Sequence, residues 1–206
     1  VKDLVIPNSV DSIGDYAFDG CSGLTSVIIP NSVDYIGSYA FSGCDNLVEV
    51  LNLSDLDISK GSKSHGYVAY YAKRVYNADE MVGDYAFKES IGNNYLVRYV
   101  GADSIITLPQ DYKGNKYGID NEAFYGCSRL ISVTFPDSLT SIGSYAFYGC
   151  SGLTSITLPN GLRSIVDKTF YGCSSLTSIS IPSSVMSIAT DAFDGCVMLP
   201  TENSVR

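Results

Sequence analysis

The sequence predicts an α/β fold: a right-handed solenoid of 23-residue turns, with one parallel sheet and short helices or irregular turns on the return side. Three observations predict it. Cys21 and Cys44 are 23 residues apart, and so are Cys127, Cys150, Cys173 and Cys196 in succession. A phenylalanine stands three residues before each, at Phe18, Phe41, Phe124, Phe147, Phe170 and Phe193. A proline precedes five of these phenylalanines at one constant spacing, at Pro7, Pro30, Pro136, Pro159 and Pro182. Pro109 stands four positions too early for Phe124, so that turn carries four extra residues. A fixed period in the range of roughly 20–50 residues is the mark of a stacked array.

Each element of the turn has a physical reason. In the second turn Leu24, Val27 and Ile29 alternate in a β-branched stretch that Pro30 closes, which reads as a short strand followed by a turn. Val33, Ile36, Ala40, Phe41 and Cys44 then point inward from the return path. Eight inward side chains cannot order 23 residues alone, so the turns must bury one another's faces and pair their strands, about 4.8 Å apart.

Composition narrows the function. The chain has 206 residues, 45% hydrophobic and 17% charged, enough for one domain with a real core. The single domain is expected to span 1–206. The net charge is −9, with no basic stripe, which excludes nucleic acid as a partner because phosphate neutralisation supplies most of that affinity. No run of about 18 apolar residues is present, so no membrane insertion is expected. One histidine, His65, excludes any multi-histidine metal site, and no Cys/His pair has zinc spacing.

Residues 54–102 interrupt the repeat. Ser59–Gly66 is polar and turn-like. Val68, Tyr71, Ala72 and Val75 recur at helical spacing and predict a short helix over 67–77. Asp84-Tyr-Ala-Phe87 echoes the Tyr-Ala-Phe of the repeat, and Tyr95–Val100 and Ile105–Leu108 read as strands. The insert is expected to be one or two irregular turns of the same solenoid. The third turn degenerates after Leu51, with Asn52 at an inward position and Leu53 in place of proline.

The motif Leu-x-x-Ile/Val-x-Ile/Leu-Pro-x-x-Val/Leu-x-x-Ile-Gly-x-x-Ala-Phe-x-x-Cys, complete over Leu24–Cys44 and Leu130–Cys150, resembles the BspA-like leucine-rich repeat of bacterial surface proteins. It covers roughly residues 1–53 and 103–199. Thr169 and Val166 depart from it where alanine and glycine are usual. The resemblance implies a leucine-rich-repeat solenoid in a secreted or surface-anchored protein. It also implies adhesion, through binding of extracellular matrix or host surface proteins. No catalytic residues and no cofactor are carried over, because the motif is one of packing.

Candidate sites follow from position. The cysteines share one inward position, which favours a ladder of buried thiols; adjacent rungs would also lie within disulfide reach. His65 lies in a polar stretch, and nothing arranges it with a nucleophile and an orienting acid. Outward strand positions are Ser26 and Ile28, Ser132 and Thr134, Ser155 and Thr157, Ser178 and Ser180. In register they form a polar face, either a plain solvated surface or a hydrogen-bonding ligand face. Tyrosines recur before Ala-Phe (Tyr16, Tyr39, Tyr85, Tyr145) and before Gly-Cys (Tyr125, Tyr148, Tyr171). Such rows either cover the turns by stacking or offer contact area at low entropy cost. The insert tyrosines Tyr67, Tyr70, Tyr71 and Tyr76 are the sharpest candidate for partner contact, since irregular elements on regular arrays carry specificity. Val1 falls inside a strand and Leu199-Pro200 lacks polar capping, so further repeats or domains are expected beyond the ends.

Overall fold

Strands one turn apart lie side by side with a register that repeats the period of the sequence. The structure, a computed structural model, describes residues 2–200. Its contacts gather into two units, Val1–Met81 and Val82–Arg206. Val1, assigned to the first strand from sequence, lies outside the described residues.

The first unit runs β1 (Asp3–Val5), β2 (Ser12–Ile13), β3 (Ser26–Ile29), β4 (Tyr35–Ile36), β5 (Glu49–Asn52) and β6 (Arg74–Asn77). Strands β1, β3, β5 and β6 form one parallel sheet. Asp3 pairs with Ser26, Ser26 with Glu49, and Glu49 with Arg74; the first two steps keep the period and the third overshoots it slightly. On the return side β2 and β4 pair, with Ile13 beside Ile36.

After β7 (Glu80–Val82), the second unit runs β8 (Tyr85–Ser90), β9 (Asn93–Tyr99), β10 (Ile105–Thr107), β11 (Tyr117–Ile119), β12 (Ser132–Thr134), β13 (Ser155–Thr157), β14 (Ser164–Ile165), β15 (Ser178–Ser180) and β16 (Ser187–Ile188). Strands β13 and β15 pair at the regular step, Ser155 beside Ser178. Strands β10 and β12 pair at a longer one, Ile105 beside Ser132, and the four extra residues are looped out at a bridge between Tyr112 and Asn115. The return ladder sets Leu96 beside Ile119, Ile119 beside Ile142, and Ile165 beside Ile188, each one period apart.

The core is built from the positions that the repeat assigns inward. Leu24, Val27, Ile29, Val33, Ile36, Ala40, Phe41 and Cys44 are all buried. The phenylalanines stack: Phe18 on Phe41 at 5.0 Å, and Phe124, Phe147, Phe170 and Phe193 at 4.8, 5.5 and 5.5 Å. Such offset aromatic pairs add about 0.5–1.5 kcal/mol beyond area burial. Backbone amides of the stacked phenylalanines also donate one turn onward, Phe124 to Ala146 O, Phe147 to Thr169 O and Phe170 to Ala192 O, at 2.8–2.9 Å. Thr169, in the alanine position, is buried, and its hydroxyl donates to Val166 O at 2.7 Å. That bond makes the departure from the motif tolerable.

The return side holds turns and strands instead of helices. The single helical element among the described residues is a 3-10 turn at His65–Tyr67. The expected helix over 67–77 is therefore corrected. Val68 and Ala72 are buried in the first core and Val75 packs against it, but Tyr71 is exposed and residues 74–77 are strand β6. The open parallel edge of β5 offers β6 a full ladder, whereas an isolated helix of that length is marginal.

The echo at Tyr85-Ala-Phe87 also reads differently in three dimensions. It lies in β8, antiparallel to β9, and Phe87 stacks on Tyr112 at 4.4 Å. Tyr99 takes the phenylalanine position instead. It stacks on Phe124 at 5.5 Å, and its amide donates to Ala123 O at 3.0 Å. Asn52 is buried at the inward position where the motif wants an aliphatic residue. Its amide donates to Leu56 O and to Asn77 Oδ1, each at 2.9 Å, and its oxygen accepts from Ser54. The polar side chain is fully satisfied, and it shapes the turn that leaves the repeat.

Gly43 precedes Cys44 with φ +68°, and a Cβ there would meet Gly20 Cα at 3.2 Å. Gly20 has the same conformation (φ +71°), but open space where its Cβ would be. Gly20→Ala should cost about 1 kcal/mol for the left-handed backbone alone, and Gly43→Ala about 1–3 kcal/mol more for the contact. Urea unfolding midpoints check the difference.

Candidate interaction surface

The tyrosines before Ala-Phe owe their placement to backbone conformation. Tyr16 and Tyr39 adopt left-handed φ values of +59° and +58°, which tightens the turn and leaves the rings outside the core. The regular step between turns sets these rings one above the other at 5.4 Å. Tyr67 continues the stack at 5.3 Å from Tyr39. Tyr70 meets Tyr67 edge-on at 5.5 Å, and Tyr71 meets Tyr70 edge-on at 4.8 Å. The result is a five-tyrosine strip on the first unit. Tyr16 and Tyr39 are 58% and 44% exposed, and Tyr70 and Tyr71 are 37% and 38% exposed. Lys63 places its ammonium 6.0 Å from the Tyr67 ring and 5.5 Å from the Tyr70 ring. A hydrogen bond to Asp45 raises the Tyr71 phenol above its ordinary pKa.

The second unit has its own row. Tyr125, Tyr148 and Tyr171 stack at 4.7 and 4.8 Å, and Tyr145 packs beside Tyr148. Lys168 lies 5.5 Å over Tyr145 and 5.9 Å over Tyr171. Tyr85 does not join this row; it sits in β8 against Tyr99.

Of the four insert tyrosines, Tyr67, Tyr70 and Tyr71 come together on the strip. Tyr76 does not: it lies in β6 with 8% exposure, withdrawn from contact. The sequence pattern missed that Tyr16 and Tyr39 are continuous with Tyr67, because the step from Tyr39 to Tyr67 is longer than the period.

The Ser/Thr face is confined to the second unit. Ser155 pairs with Ser178 and Thr157 with Ser180, and Ser132 and Thr134 lie in register with Ile105 and Thr107. Thr134, Ser155, Thr157, Ser178 and Ser180 are exposed, and Ser132 is half-buried. In the first unit the same rows carry other chemistry. One row is Asp3, Ser26, Glu49 and Arg74, where the Ser26 hydroxyl donates to Asp3 at 2.7 Å. The other row is Val5, Ile28, Leu51 and Tyr76. His65 opens the 3-10 turn with a left-handed φ of +50°. Among the described residues no three His, Cys, Asp or Glu side chains converge on a point that could hold a metal ion. No helix among them is long and apolar enough to cross a membrane.

The profile of the BspA type leucine rich repeat region matches six copies over residues 1–91 and 102–203. The chain belongs to this family. Among solved structures, the pneumococcal vaccine antigen PcpA shares the fold at 20% identity and a TM-score of 0.51, over 96% of this chain and 60% of that one. A leucine-rich-repeat protein of T. pallidum matches at 25% identity over 97% and 78%, with a TM-score of 0.44. A leucine-rich cell surface protein of Faecalibacterium prausnitzii matches at 24% identity over 97% and 72%, with a TM-score of 0.46. No curated protein matches the chain.

In this BspA-type array the cysteines act as rungs. Cys44, Cys150, Cys173 and Cys196 are buried free thiols. Each donates to the carbonyl of the phenylalanine one turn back: Phe18, Phe124, Phe147 and Phe170, at 3.0–3.2 Å. Cys21 is exposed and Cys127 half-buried. Burial, with repulsion from neighbouring Cys21, pushes the Cys44 thiol from 9.0 up to about 11. Burial raises Cys150 likewise. The folded chain therefore grips these protons harder than the unfolded chain does. Their stabilisation is full below pH 9 and is lost as pH rises through about 11 for Cys44. Urea midpoints should fall between pH 9 and 11, and Cys44→Ala should flatten that slope. A thiol reagent at neutral pH should label Cys21 first and spare Cys44, Cys150 and Cys173 until the chain unfolds.

Proposed function

We propose that the chain is a non-catalytic protein-binding module of a secreted or cell-surface bacterial protein, serving adhesion to host or matrix proteins. The observation that carries this reading is the five-tyrosine strip of the first unit, which lies outside the core with four of its rings more than a third exposed. Tyrosine offers large amphipathic contact area at low entropy cost, and contiguous exposed aromatic surface marks interaction sites. The repeat motif itself is spent on packing, which fits a scaffold better than an enzyme. The exposed hydroxyl rows of β13 and β15 offer a second, hydrogen-bonding face on the other unit.

A spacer is the second reading. Several threonines turn their hydroxyl protons back to the array, as Thr154 does to Ile131 O and Thr177 to Thr154 O, which leaves fewer donors for a partner. Surface-plasmon binding of the folded chain to immobilised matrix glycoproteins, with glycans in parallel, separates the readings. Saturable binding to proteins, weakened about tenfold or more by Tyr70→Ala with Tyr71→Ala, is the expected result. A folded chain that binds neither panel would leave the spacer; glycans bound without protein would make it a carbohydrate-binding module.

A further inference from the structure

The chemistry around the tyrosine strip selects one class of partner. Residues 1–53 hold seven carboxylates against one cation, Lys2. Three of these carboxylates belong to the turns that carry the strip. Asp15 adjoins Tyr16 and accepts the Ser38 amide at 2.7 Å. The Asp19 amide donates to Tyr16 O at 3.1 Å, and the Asp19 side chain faces the Gly43 turn. Asp45 takes the Tyr71 hydrogen bond. The exposed rings therefore share their turns with negative charges.

The molecule also shows what its tyrosine rows accept. Lys63 lies over Tyr67 and Tyr70 at one end of this strip. On the second unit Lys168 lies over Tyr145 and Tyr171, at similar distances of 5.5 and 5.9 Å. Two tyrosine rows, built from different turns, each draw an ammonium group to their faces. At the other end of the strip Tyr16 and Tyr39 are the most exposed members, and the charges nearest in sequence are aspartates.

Resting on the protein-binding reading, we propose that the Tyr16–Tyr39 end of the strip is a docking site for a lysine- and arginine-rich segment of a partner protein. A partner cation would stack on the Tyr16 and Tyr39 rings and pair with Asp15 and Asp19. Ring faces attract cations through their quadrupole, and arginine adds planar stacking on the ring. Exposed carboxylates steer such a segment toward the site, and salt screens them over about 8–10 Å.

The test is fluorescence anisotropy of the full 206-residue chain with three labelled peptides of equal length: Arg/Lys-rich, Gly/Ser-rich and Glu-rich. Tyr16→Asn with Tyr39→Asn removes both rings while keeping a residue that tolerates the left-handed backbone. Tyr16→Phe with Tyr39→Phe keeps the rings, so a loss caused only by misfolding is recognised by circular dichroism and by this second pair. The basic peptide should bind at least about tenfold more tightly than the neutral one and lose about tenfold with the asparagine pair. It should be unchanged with the phenylalanine pair and weaken as salt rises. Equal binding of basic and neutral peptides would overturn the proposal, and so would full affinity in a folded asparagine pair. A matrix protein bound equally well by the asparagine pair would overturn this site while leaving the adhesion reading intact. Basic-peptide binding that behaves as expected, with no matrix protein bound, would support the site and count against adhesion.

Discussion

Every turn of this chain depends on its neighbour for the partners of buried polar groups. The amides of Phe18, Phe41, Phe124, Phe147 and Phe170 have their acceptors one turn onward, and each buried thiol has its acceptor one turn back. An unpaired buried amide costs about 1–3 kcal/mol, so a turn that slipped out of step would lose several such partners at once. That constraint explains why the period is held so strictly. It also explains why proline, phenylalanine and cysteine keep their spacing while the residues between them vary.

The same lateral coupling sets where aromatic rings stand. A ring at a given turn position stacks on its equivalent one turn on, whether it is inside, as Phe147 over Phe170 at 5.5 Å, or outside, as Tyr148 over Tyr171 at 4.8 Å. A buried stack stabilises the array. An exposed stack repeats one chemical surface along it. Thus a packing rule that serves stability also repeats one surface along each row, and the first row is interrupted by Lys63 and the off-period Tyr67, Tyr70 and Tyr71.

How much of this was legible in the sequence can be argued residue by residue. The period, the inward set of the second turn, and strands β9 and β10 were readable, because tertiary contacts there only reinforce the local pattern. The insert was not. Val68, Tyr71, Ala72 and Val75 have helical spacing, yet the open edge of β5 recruits residues 74–77 as a strand. Phe87 copies the repeat in sequence, but Tyr99 takes its place in space, because β8 turns back on β9. Among the candidate contact residues, Tyr70 and Tyr71 are exposed and Tyr76 is buried in β6. The continuity of Tyr16, Tyr39 and Tyr67 needed coordinates, since the overlong step from Tyr39 to Tyr67 hides it from any fixed-period alignment.

The coupling between turns is most directly tested by native-state hydrogen exchange on Phe147→Ala. Removing that ring should cost about 3–5 kcal/mol and open the column on both sides of it. The amides of Phe124 and Phe170, which donate to Ala146 and Ala192 in adjoining turns, should lose protection together. Protection lost only within the turn that carries residue 147, with Phe124 and Phe170 exchanging as before, would contradict the account.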